Sequence, residues 1–342
     1  MNYINIGNRC VVEFAPTIQT IRREFEHHLQ DADRGLPIVG CVKVDESLAI
    51  PKDAIMLLDG RLFHHDKVLY VKESGEEYRL ELTEKQFTIT SKRDDAAGVL
   101  PVLIQTMLNF YMPCYGLAFL HTAACELNGE VIAIHGFGGA GKTETMLELL
   151  SRGASYISDD LAIFDEQGRI YPYLRRIGLH DYPFTEAQLQ QFGLSRWRYR
   201  LMNHCKGKSD RLRNYLYRRL KGQFKINLDY TKFTGVRKTI LKFYEVTCNY
   251  WLDSTCLTGF SIIPKERFVR KMTFCMGNEF RPYIDFDGYC DVVLPFWKDL
   301  RKSHDELLRK VLNNINIAGL TIQGKQYREL AELIMKHKTN KK

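Results

Sequence analysis

Residues 136–143, Gly136-Phe137-Gly138-Gly139-Ala140-Gly141-Lys142-Thr143, satisfy G-x-x-x-x-G-K-[ST] at every fixed position. These residue types suit phosphate chemistry. Glycines let backbone N–H groups close around the β- and γ-phosphates of a nucleotide, Lys142 neutralises them, and the Thr143 hydroxyl is a ligand for Mg²⁺. Further along stand two adjacent carboxylates, Asp159-Asp160. One carboxylate there can hold the metal while its neighbour accepts a proton from an attacking hydroxyl. A glycine-rich turn and an acidic turn are the structural alternatives, and the context of both motifs decides between them.

That context is strand, loop, helix, strand. Glu130 to His135 reads as a strand entering the loop, preceded by His121 to Leu127 and the hairpin dipeptide Asn128-Gly129, whose two residues tolerate positive φ. The spacing predicts a helix from Lys142 to Arg152 with Met146, Leu149 and Leu150 on one face and a stop at Gly153. Such a helix is about 16 Å long, and the return strand Ala154 to Ser158 is about as long, so both aspartates come back beside the loop. Ligands bind at that edge of an α/β sheet.

Around this core, residues 1–95 read as a β-rich lobe of short strands, for example Tyr78 to Leu82 and Phe87 to Thr90, interrupted by one helix near Thr17 to Leu29. Residues 96–342 form the phosphate-loop domain. It opens on a buried helix from Val99 to Met112, limited near Pro113, carries further core strands near 224–228 and 257–264, and closes on helices near Asp299 to Ile315 and Gln326 to His337. The nine cysteines include no Cys-x-x-Cys pair and read as structural thiols rather than a zinc site or a disulfide framework. His27-His28 and His64-His65 read as surface or turn residues. The composition, 45% apolar and 26% charged over 342 residues, is that of a globular chain and excludes wholesale disorder, collagen-like repeats and coiled coil. The sequence has no apolar run near the roughly 18 residues of a membrane span and no signal-peptide plan at its start, which points to the cytoplasm.

The run from Gly141 through Lys142-Thr143-Glu144-Thr145-Met146-Leu147-Glu148-Leu149-Leu150-Ser151-Arg152 to Gly153, continued by Ile157-Ser158-Asp159-Asp160, resembles the HPr serine kinase family of the phosphoenolpyruvate carboxykinase-like superfamily. The likeness covers roughly residues 118–183. It implies an α/β fold with a mixed sheet around a P-loop kinase core, and phosphorylation of a serine hydroxyl with ATP and Mg²⁺. Carried over by position, residues 136–143 and Thr145 bind the nucleotide, Lys142 and Asp159 are catalytic with Asp159 the general base, Thr143 and Asp160 hold the metal, and His121 matches a site histidine. The family's signature loop is acidic where this chain has Tyr173, and reverse phosphorylase activity is not expected. The stretch Ile170 to Leu179 is closer to the shorter HPr-kinase-like proteins encoded with peptide natural products. Its Arg175 and Arg176 are candidates to clamp phosphate.

The charge has one address. Of 49 Lys+Arg and 41 Asp+Glu, residues 196–225 hold eleven bases and one acid, Asp210, so the rest of the chain carries 38 bases and 40 acids. Trp197, Tyr199, Tyr215 and Tyr217 are interleaved with this insertion, and Ser209 to Leu220 is a candidate basic helix. An acidic peptide or small-protein substrate docked on Arg211, Arg213, Arg218 and Arg219 is the leading partner, ahead of a solvated arm and of RNA, DNA or anionic lipid. The functional classes are therefore a peptide or protein hydroxyl kinase first. A nucleotide-binding module without transfer, a small-molecule hydroxyl kinase and a nucleic-acid-associated ATPase stand behind it. Self-association of the chain is left open.

Overall fold

The computed structural model describes residues 2–58, 60–73, 75–94, 99–174, 177–179, 184–197, 199–200, 226–228, 241–253, 259–279, 290, 294–321 and 327–339. Residues 2–91 build a nine-stranded mixed sheet. Its strands are β1 (Asn2–Ile6), β2 (Cys10–Phe14), β3 (Leu29–Gln30), β4 (Ile38–Val44), β5 (Ile55–Leu58), β6 (Leu62–His65), β7 (Val68–Glu73), β8 (Glu76–Leu82) and β9 (Phe87–Ser91), in the order β3-β1-β2-β4-β9-β8-β7-β6-β5. The expected helix in this lobe is short, α1 (Gln19–Glu24), followed by a 3₁₀ turn at Glu26–His28. Helix α2 (Val99–Tyr111) then runs almost wholly buried and gives way to a 3₁₀ turn containing Pro113, whose missing N–H cannot continue the helix ladder.

The second sheet has eight strands. Strands β10 (Leu117–Leu127) and β11 (Glu130–Gly136) form the expected hairpin, with Asn128 at φ 54° and Gly129 at φ 80°. Then follow β12 (Ser155–Ser158), β13 (Leu161–Asp165) and β14 (Ile170–Tyr171), while β15 (Ile177–Leu179) and β16 (Ile226–Leu228) pair only with each other. The sheet is completed by β17 (Cys248–Asp253), β18 (Gly259–Ser261) and β19 (Ile317–Thr321), in the order β14-β13-β10-β11-β17-β19-β18, with β12 also on β10. The pairs β11/β17 and β17/β19 are parallel and the others antiparallel, so the protein is mixed α/β with two mixed sheets. Of the strands expected after residue 220, the first therefore belongs to the separate ribbon β15/β16 and the second to the edge strand β18.

Helices α3 (Lys142–Ser151), α4 (Glu186–Gln191), α5 (Lys265–Glu279), α6 (Trp297–Asn314) and α7 (Tyr327–Thr339) cover both faces of this sheet. Neighbouring strand residues therefore join different cores. Ile132, Ile134, Tyr250 and Leu252 pack with Met146, Leu149 and Leu150 of α3 and Leu330 and Ile334 of α7. Val131, Ala133 and Trp251 face Phe268 and Met272 of α5 in a larger cluster, which runs through α2 and α6 into Ile4, Phe14 and Phe87 of the first sheet. Burial on both faces explains why β10 and β11 read as near-continuous apolar runs rather than alternating ones. In α6 the buried residues Trp297, Leu300, His304, Leu307, Leu308 and Val311 recur at helical spacing, leaving the charged side outward.

One sequence reading changes here. His28 is not a surface residue: it is buried, its Nε2 accepts the N–H of Leu174 at 2.8 Å, and burial pulls its pKa down to about 4. The run of expected core residues could not reveal that a polar backbone group of residue 174 needs a partner at this depth. Tyr173, where the resembled family's signature loop is acidic, is wholly buried with its ring among Phe25, His28 and Phe119, and its N–H donates to Ser158 Oγ at 3.1 Å. The seven described cysteines are free thiols, four of them buried, and no described helix is long and apolar enough to cross a membrane.

Candidate functional site

The loop 136–141 leaves the end of β11 and turns into α3. Gly141 caps the helix at φ 97°, and a Cβ there would lie 2.5 Å from Cε1 of Tyr327, so both backbone shape and space demand glycine. Thr145, one turn on, is buried and donates to Gly141 O at 2.8 Å, bracing the loop from inside. Lys142 is also buried, and its Nζ donates to Gly136 O at 3.0 Å and Phe137 O at 3.1 Å across the turn. The helix is anchored below by Glu148. This buried carboxylate accepts from Arg152 Nη2 at 3.1 Å and from Gln188 Nε2 of α4 at 2.8 Å.

The two aspartates arrive through a feature of β10. Its first half pairs with β13 and its second half with β12, so the chain reverses between β12 and β13 directly over His121-Thr122. Asp160 makes the reversal at φ 69°, with Leu161 N–H on Asp159 O at 2.9 Å and Thr122 N–H on Asp160 O at 3.2 Å. A non-glycine residue in this conformation stores strain, as residues at functional sites often do. The reversal sends the two side chains to different partners. Asp159 is buried and accepts from Thr143 Oγ1 at 2.9 and 3.1 Å, while the more exposed Asp160 faces His121 Nε2 at 3.3 Å. Burial first, then the charge of Asp160, pushes the Asp159 carboxyl up to about 7, against the opposing pull of Thr143 and Lys142.

Helix α5 closes the other side. Cys275 Sγ lies 3.2 Å from His121 Nδ1 and donates to Gly136 O at 3.5 Å, and Met276 Sδ receives the His121 N–H at 3.1 Å. A second buried histidine, His135, bridges Thr122 Oγ1 at 2.8 Å and Asn249 at 3.1 Å, and burial lowers its pKa to about 4. Beside the loop, β17 runs parallel to β11 with Leu252 opposite Gly136, so Asp253 ends at the loop's flank. There it pairs with Lys271 of α5 at 2.5 Å, and that ammonium also lies over the Trp251 ring. Phe137 stands edge-on to Trp251 and to Phe274 of α5.

The structure thus brings together the glycine-rich loop 136–141, Lys142, Thr143, Asp159, Asp160 and His121. Arg175, Arg176, Arg211, Arg213, Arg218 and Arg219 lie outside the described residues, as does the candidate helix Ser209 to Leu220. At the start of the basic insertion, Arg196 and Arg200 both pair with Glu186 of α4, at 2.9 and 2.8 Å. Asp253, Lys271, Cys275 and Tyr327 escaped the sequence reading. The apolar run Tyr250 to Leu252 ending in an aspartate was a usable signal for the first, since a parallel strand beside the loop would deliver it there. The donor set of Thr143, Asp159 and Asp160 is all hard oxygen, which suits Mg²⁺ completed by water and phosphate oxygens rather than a softer metal. In comparisons with known proteins, no family model and no curated protein matches this chain.

Proposed function

We propose that the protein is an ATP- and Mg²⁺-dependent kinase that transfers a γ-phosphoryl group to a hydroxyl, the serine of a peptide or small protein being the leading acceptor. In this reading the second sheet with α3 is a P-loop kinase core of the HPr kinase type. The observation that carries it is the direct hydrogen bond from the loop hydroxyl of Thr143 to the buried Asp159. A glycine-rich turn without a ligand has no need of a charged group at that depth, because burying an ionisable carboxyl costs free energy.

The residues divide the chemistry as follows. The loop amides and Lys142 hold the phosphates and draw off their charge. Thr143 and Asp160 hold Mg²⁺, which when bound neutralises charge on the transferring group. Asp159, with its pKa near neutrality, accepts the proton of the acceptor hydroxyl. The hydroxyl oxygen forms a bond to the γ-phosphorus as the bond from that phosphorus to the β–γ bridging oxygen breaks, and ADP leaves. Incubation with labelled ATP and serine-containing peptides should label a peptide with wild type and not with Asp159→Asn. Equal labelling by both proteins removes Asp159 as the base, and ATP binding without any phosphoacceptor favours a regulatory module.

One observation favours an exchange of roles within the pair. Thr143 bonds Asp159, and His121 lies 3.3 Å from Asp160, which supports a reading with Asp159 on the metal side and Asp160 towards the acceptor. Mg²⁺ affinity measured in Asp159→Asn and Asp160→Asn separates the two assignments, because the metal-side variant is the one that loses it.

A further inference from the structure

Phosphoryl transfer to a polypeptide needs a surface that holds the acceptor beside the loop. Helix α5 offers one. Its inner side buries Phe268, Met272, Cys275 and Met276, and its outer side, together with α6, lines a groove of about 540 Å³. The groove carries Lys265, Arg270 and Arg309 against one acid, Glu266. Lys265 is engaged on Ile315 O. Arg270 and Arg309 are exposed, and Arg309 also lies within electrostatic reach of Asp305, whose carboxyl is held low by its His304 hydrogen bond first and by this guanidinium after it. At the loop end of the groove stands Phe274, 63% exposed, whose ring lies 6.1 Å from that of Phe137 in the phosphate loop, itself 37% exposed. The groove therefore ends on a ring that meets the loop of the proposed site.

We propose that this groove seats an acidic stretch of the acceptor polypeptide, with Phe274 and Phe137 taking an apolar residue beside the reacting hydroxyl. The proposal rests on the kinase reading and adds where and how the acceptor is recognised. Charge complementarity selects the occupant: two arginine forks set apart on neighbouring helices suit spaced carboxylates. A nucleic acid would call for a longer run of cations along its phosphates than this groove supplies. An exposed aromatic pair at the mouth also suits a polypeptide side chain, since aromatic residues anchor protein interfaces.

The test uses the full-length protein and a fluorescein-labelled peptide carrying a serine and a leucine among aspartates, with a lysine-for-aspartate counterpart as control. Anisotropy should show wild type binding the acidic peptide in preference to the basic one. Arg270→Glu with Arg309→Glu should weaken the acidic peptide about tenfold or more and strengthen the basic one, with ATP affinity unchanged. Phe274→Ala should raise KM for the acidic peptide with little change in kcat. Acidic-peptide affinity unchanged in the double variant overturns the proposal, as does loss of oligouridylate binding in its place. Failure of the two readings is distinguishable. Peptide bound through these arginines but never phosphorylated by wild type removes the kinase reading and leaves the groove. Transfer whose KM is indifferent to the double variant removes the groove and leaves the kinase.

Discussion

Asp159→Asn separates the cost of burying a charge from its use. The carboxyl has an ordinary pKa of 3.8, pushed up to about 7 in the folded protein, chiefly by burial. A raised folded pKa means that the folded state holds the proton longer than the unfolded chain does. Stability contributed by this group is therefore full below about pH 4 and falls as pH rises to about 7. At about 1.4 kcal/mol per pKa unit, the ionised carboxylate costs at most about 4 kcal/mol at pH 8 and under about 2 kcal/mol at pH 5. Asparagine keeps the shape and lacks the charge. In metal-free, nucleotide-free protein, Asp159→Asn should then be the more stable form at pH 8. With an unfolding entropy of about 2 cal/mol/K per residue, the gain in Tm is about 4–6 °C at pH 8 and about 2 °C at pH 5. Calorimetric melts in chelator at the two pH values measure it, and the same preparation should have lost phosphoryl transfer. Equal melting temperatures at pH 8 would refute the buried-charge argument. A gain as large at pH 5 as at pH 8 would refute it too, by assigning the effect to packing.

Other expectations follow from the same site and core. Lys142→Ala should remove transfer and weaken nucleotide binding by about tenfold or more, read by titration with labelled ATP, because charge-assisted contacts to phosphate are the strong ones. Thr143→Ser should retain transfer, and Thr143→Ala should lose about a hundredfold in kcat as the hydroxyl bonded to Asp159 disappears. Gly141→Ala should cost about 2–3 kcal/mol in denaturant unfolding, from positive φ and the Tyr327 ring. His28 and His135 are held neutral by burial, with pKa values lowered to about 4. The unfolded chain takes up those protons first, so each contributes up to about 3 kcal/mol that is present above about pH 6.5 and lost as pH falls towards 4. His135→Gln should flatten that acid limb of the stability curve.

The second sheet was the more legible half of the chain. Asn128-Gly129, the loop glycines and the helical spacing of Met146, Leu149 and Leu150 each state a local conformation, and each recurs in the structure at its expected place. The helix expected at Thr17 to Leu29 shortened to α1 and a 3₁₀ turn. In that stretch His28 is committed to the N–H of Leu174, a partner far along the chain that no local pattern announces. The strand expected near residue 260 was found at the sheet edge rather than in its centre, because apolar runs report burial and not neighbours.

For the candidate site, the amino-acid order alone determined the glycine-rich loop between strand and helix, its hydroxyl and lysine, and the return of two aspartates to the same sheet edge. Those follow from short-range geometry, a strand and a helix of matched length joined by glycines. Only the tertiary structure decided what each aspartate faces. Strand β10 is shared between β12 and β13, the reversal at Asp160 turns one carboxylate inward to Thr143 and the other towards His121, and α5 seals the place with Cys275. Burial and proximity to a like charge set the chemistry of Asp159, and both are properties of packing across elements distant in sequence.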